Sequence, residues 1–204
     1  MFFLPSLEEC QEFVKENDCF IEKNEDVAGF QVKMFNYLLA TYNDFKYPLG
    51  KDIAKTAFEL RGLTFVFNEK TNTWKRFLML HKFFNVNQCQ DYMYADLRNK
   101  KLLKTLYKID RSMIRFIRLP NNKIVAKTKM GFDNEQAKLA QKIFEQDNQL
   151  QEFISESLDR NLAAILELTS PINRIVLKYN DTKLTLLQLR DETTGLYQDI
   201  HNHE

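Results

Sequence analysis

Met113-Ile114-Arg115-Phe116-Ile117-Arg118-Leu119, then Pro120-Asn121-Asn122, then Ile124-Val125-Ala126-Lys127-Thr128-Lys129: the reading of this run decides the fold. Its side chains keep close to the two-residue period of a strand with one face toward a core, and Pro-Asn-Asn supplies the turn between two such strands. A shorter alternation, Leu106 to Asp110, predicts a strand just before them. Downstream the period changes. Ala137, Leu139, Ala140, Ile143 and Phe144 share one helical face, and Leu150, Phe153, Ile154 and Leu158 predict a further turn or a second helix. Strands are expected again at 162–168, 175–179 and 184–189, before a turn at 191–195 and a polar tail.

Working outward to the amino terminus, Ser6 with Glu9 has the form of a capping box, and Leu7, Cys10, Phe13 and Val14 follow on one helical face. Gly29 to Phe35 alternates like a strand, and Asn36 to Phe45 continues as an aromatic-rich stretch. Leu60 to Phe67 and Trp74 to Leu80 alternate again, joined by a turn at 68–72 into a hairpin. The pattern predicts an α+β fold: antiparallel sheets with a helical insertion between strands, one domain over residues 1–204.

With 44% apolar and 28% charged residues, the chain has the composition of a globular protein with a substantial core, which excludes disorder. Lysine and arginine total 29 against 28 acids, so a general coat for duplex DNA is disfavoured, though local basic grooves are not. Three scattered cysteines (Cys10, Cys19, Cys89) and three histidines give neither a disulfide framework nor zinc-site spacing. The opening Met1-Phe2-Phe3-Leu4-Pro5 lacks a basic region, and no apolar run reaches membrane-spanning length. The expected location is cytoplasmic, the host cytoplasm if the source is viral.

Chemistry points first to Tyr107-Lys108-Ile109-Asp110-Arg111-Ser112. A lysine at the end of a short apolar strand can be partly desolvated, which frees its amine as a nucleophile. Taken alone, a strand-end lysine is nearly always a solvated surface group. Arg61 beside Gly62 could end a turn, Lys127 and Lys129 alternate like the wet face of an edge strand, and Glu167 between Leu166 and Leu168 could face outward.

The order of these segments changes their weight. Glu59-Leu60-Arg61-Gly62, Lys82-Phe83-Phe84-Asn85, Lys108-Ile109-Asp110, Ala126-Lys127-Thr128-Lys129, Leu166-Glu167 and Pro171-Ile172-Asn173-Arg174-Ile175-Val176 follow one another along the chain. This succession resembles the adenylyltransferase domain of the T-even phage type of RNA ligase, a branch of the covalent nucleotidyltransferases with an ATP-grasp-like ligase fold. The resemblance covers roughly residues 28 to 200. It implies an ATP-dependent RNA ligase that forms lysyl-AMP, passes AMP to an RNA 5′-phosphate and seals it to a 3′-hydroxyl, in RNA or tRNA repair. Lys108 would be the nucleophile. Arg61, Lys82, Asp110, Lys127, Lys129 and Glu167 would contact the nucleotide, with Glu167 also a candidate ligand for Mg²⁺. ATP and Mg²⁺ would be the cofactors, and RNA ends the partners.

Two departures stand out. Arg111 occupies the place of the family's glycine, where a bare backbone lets the turn approach the nucleotide. The family's later motifs, a metal-binding glutamate and a pair of lysines on the α-phosphate, have no counterpart after Gly195. The expectation is a partial adenylyltransferase domain: one part of a split ligase completed by a second chain, a truncated product, or a non-catalytic nucleotide- or RNA-binding relative.

Overall fold

The computed structural model describes residues 3–46, 57–90, 93–102, 104–106, 108–109, 112–171 and 181–200. Helix α1 (Leu7–Glu16) opens on the Ser6 capping box, in which the Ser6 hydroxyl accepts from Glu9 N and the Glu9 carboxylate accepts from Ser6 N. The first sheet follows: β1 (Phe20–Val27), β2 (Phe30–Tyr37), β3 (Leu63–Asn68) and β4 (Thr73–Phe77), antiparallel in that order. Short helix α2 (Tyr42–Lys46) and a 3₁₀ turn at Ala57–Glu59 lie between β2 and β3, and α3 (Tyr94–Leu97) lies between β4 and the second sheet. The second sheet has the order β6-β5-β7-β8, from β5 (Ser112–Arg118), β6 (Ile124–Thr128), β7 (Leu162–Thr169) and β8 (Lys183–Asp191). Helices α4 (Glu135–Gln146) and α5 (Asn148–Asp159) are inserted between β6 and β7.

Alternation along the strands sorts the side chains into layers. Leu63, Phe65 and Phe35 pack with Leu7, Cys10 and Phe13 of α1 on the outer side of the first sheet. Val32, Met34, Val66 and Phe77, on its other face, meet Ile117 and Leu119 of β5 and the β5–β6 turn. Ile114, Phe116, Ala126, Ala164 and Leu166 turn the opposite way, onto Ala140, Phe144 and Ile154 of α4 and α5. The order is therefore helix, sheet, sheet, helices. Strand β7 is buried along its whole length because both of its faces are covered.

Three strand expectations need correction or restriction. β1 was not foreseen: Phe20-Ile21-Glu22-Lys23-Asn24-Glu25-Asp26-Val27 is too polar to announce a strand, yet it pairs residue for residue with β2 across a turn in which Ala28 and Gly29 both have positive φ. The strand expected from Leu106 to Asp110 is not formed at its described residues. Leu106 and Lys108 are exposed, and sheet pairing begins only at Ser112, opposite Leu168. Four or five residues of alternation do not hold a strand where no neighbour offers a ladder. The strand expected at 175–179 lies outside the described residues.

Candidate nucleotide site

The face of the second sheet turned toward the first carries an unusual load of charge. Cross-strand register places Arg115 opposite Lys127, and Met113 opposite Glu167, which pairs in turn with Thr185. Ile114 pairs with Thr128, the last residue of β6, and Lys129 follows it at the start of the next turn. Lys129 and Glu167 thus flank the point where the chain enters β5. Lys108 lies five residues before Met113, so extended chain keeps it within about 17 Å of that residue. It is exposed on irregular chain. Asp110 and Arg111 lie outside the described residues.

Three of the expected cations come together here. The Lys129 ammonium sits over the Tyr37 ring at 5.0 Å from its centroid, and that of Lys82 at 5.5 Å. Lys82 also lies over Phe84 at 4.6 Å, while the Arg61 guanidinium covers Phe83 at 5.4 Å. Burial, then the charges of Arg61 and Lys129, push the Lys82 pKa below its ordinary value. Burial and Arg61 do the same to Lys129. Among the described residues no carboxylate forms an ion pair with any of the three, and the buried Nε of Arg61 has no hydrogen-bond partner. Like charges held together on aromatic rings, without a counter-ion among the described residues, suit a polyanionic ligand. An open cavity of about 570 Å³, lined by Thr41, Tyr42, Asn43, Phe84 and Gln88 among others, adjoins Lys82.

The turn bearing Arg61 is held from several sides. Gly62 has φ +81° and packs so closely on the Lys129 backbone that a Cβ would meet its Cα at 2.8 Å. Gly62 N donates to Phe35 O at 2.9 Å, and its carbonyl accepts from the Thr64 hydroxyl and from the Lys127 ammonium, both at 3.0 Å. The Asn36 amide donates to Lys129 O at 3.2 Å. Lys127 is fully buried, and burial, reinforced by Arg115, lowers its pKa to about 7. Lys127 therefore grips the Gly62 turn from inside while Lys129, two residues on, reaches the cation cluster. Glu167 is 6% exposed and lies between the sheets, not on an outward face.

Sequence reading overlooked Tyr37 as the floor of the cluster. It also overlooked two buried ion pairs behind it, Glu59 with Arg190 and Arg115 with Glu192. Glu59 stands two residues before Arg61, which was a local signal. The arginines had none, because their partners are more than 70 residues away.

Among the described residues there is no group of three metal-ligating side chains. A magnesium ion carried on phosphates needs only one or two carboxylates, a demand that Glu167 can meet from its buried position. No helix among the described residues is long and apolar enough to cross a membrane.

The arrangement of the two sheets and their helices is shared with solved ligase structures. An archaeal ATP-dependent RNA ligase superposes in one form with a TM-score of 0.56 at 16% identity, over 92% of this chain and 43% of that one. A second form gives 0.51, also at 16% identity, over 93% and 44%. The fold is that of an RNA ligase nucleotidyltransferase. A family model described as RNA ligase matches residues 59–204, and the chain belongs to that family. A protein of Thermovibrio ammonificans, provisionally named an RNA ligase, is 28% identical over 139 residues, 68% of this chain and 35% of its own length. The chain thus spans about a third to under half the length of these relatives.

Proposed function

We propose that this chain carries the AMP-accepting part of an ATP-dependent RNA ligase, with Lys108 as nucleophile. The observation that supports the reading best is the cluster of Arg61, Lys82 and Lys129 over Phe83 and Tyr37, without an ion-pairing carboxylate among the described residues, beside the strand that Lys108 leads into. ATP binds with its phosphates against the three cations. The Lys108 amine attacks the α-phosphorus, its proton leaves, and pyrophosphate departs, giving lysyl-AMP. The cations offset the charge that gathers on the phosphoryl oxygens. Asp110 and Glu167 orient the nucleotide, Glu167 through a ribose hydroxyl or through Mg²⁺, which shields the phosphates. Lys127 acts from behind by fixing the Gly62 turn.

AMP then passes to an RNA 5′-phosphate, and attack by a 3′-hydroxyl releases AMP and seals the strand. The partners are RNA ends, cleaved tRNA among them. The setting is RNA repair in the cytoplasm, that of the host cell if the source is viral. The second reading, a non-catalytic nucleotide- or RNA-binding relative, draws on the exposure of Lys108 outside any strand and on Arg111 at the glycine position.

Intact-protein mass spectrometry after incubation with ATP and Mg²⁺ separates the two readings. One AMP on the wild type and none on Lys108→Ala is the expected result. Retention of the adduct by Lys108→Ala removes Lys108 as nucleophile. Tight ATP binding without any adduct selects the non-catalytic reading.

A further inference from the structure

Behind the cation cluster, one guanidinium holds both cation-bearing segments at once. Arg190, near the end of β8, is fully buried. Its Nη1 and Nη2 donate to Glu59 Oε2 and Oε1 at 2.8 and 2.6 Å, a two-pronged fork two residues before Arg61. Nη1 also donates to Met79 O at 2.7 Å, three residues before Lys82, and Nε to Gly195 O at 2.8 Å. The same plane lies 4.9 Å from the centroid of the Tyr197 ring. The Tyr197 hydroxyl accepts from His81 N at 3.2 Å and bonds His81 Nδ1 at 2.7 Å. Beside it, Glu192 accepts from Leu78 N at 2.9 Å and pairs with Arg115, which donates to Leu78 O. The two segments touch directly through Arg61 Nη1 to His81 O at 3.3 Å and Lys82 N to Phe58 O at 2.8 Å.

A buried ion pair is a poor source of net stability, since apolar side chains of similar size commonly hold a fold as well or better. What the fork adds is geometry. Its five donors are planar and rigid, and they fix both partners in distance and direction. We propose that Arg190, with Glu59, is a positioning residue for the nucleotide site, setting the spacing between Arg61 and Lys82 at which they grip the same phosphates. The inference rests on the nucleotide reading given above.

The test is calorimetric ATP binding, at a temperature well below unfolding, by the Glu59→Leu/Arg190→Met double variant, which removes both charges together. The expected result is cooperative melting close to the wild type with ATP affinity lowered tenfold or more. The milder Arg190→Lys keeps the charge but loses the fork, and it should weaken ATP several-fold; it decides the matter if the double variant does not fold. Lys82→Ala serves as reference. If Lys82→Ala loses ATP affinity while folded clamp variants bind as the wild type does, the positioning role is overturned and the nucleotide reading stands. If Lys82→Ala also binds as the wild type, the nucleotide reading itself fails.

Discussion

Lys127 and Lys129 differ by two positions and by almost everything physical. Strand alternation puts both on one face, and from sequence either could have met a phosphate. Depth separates them. Lys127 lies under the first sheet with its ammonium on Gly62 O, while Lys129 sits at the rim over Tyr37. Because the Lys127 pKa falls from 10.5 to about 7, the unfolded chain holds a proton between those values that the folded chain has released. Stability therefore rises with pH from about 7 to about 10.5, and the full burial cost is felt below 7. Chemical denaturation of wild type and Lys127→Met across this range should show the wild type gaining on the variant by roughly 1 kcal/mol per pH unit. A gap that does not change with pH would mean that Lys127 keeps its proton through contacts unlike those described.

Among the elements, the Arg61-Gly62 turn joins the two sheets beside the cation cluster. Gly62→Ala would add a Cβ 2.8 Å from the Lys129 Cα at a φ of +81°. The strain should cost about 1–3 kcal/mol, or several degrees of melting temperature, and should displace Arg61 from Lys129. Thermal melts check the first effect; an unchanged melting temperature contradicts the close approach. Elements with a strong period were legible in advance: α1 with its capping box, α4 and α5, and the β5–β6 hairpin with its Pro-Asn-Asn turn. β1 was not, because this edge strand is mostly polar and its ladder is supplied by β2. The segment around Lys108 erred the other way, since alternation without a pairing neighbour makes no strand.

For the molecule as a whole, the order of short motifs along the chain carried the family, and the family model and the fold agree with it. The convergence of Arg61, Lys82 and Lys129 was expected from that resemblance alone. Its aromatic floor and the inter-sheet fork behind it depend on contacts between distant strands, which no local pattern encodes. The claim that ties these scales together is that the three cations form one phosphate-binding unit. It is tested most directly by equilibrium binding of ATP to Arg61→Ala, Lys82→Ala and Lys129→Ala at two salt concentrations. Each loss of a charged contact should weaken binding by about tenfold or more, with a smaller salt dependence than the wild type has. Three variants that bind ATP as the wild type does, at both salt concentrations, would contradict the account.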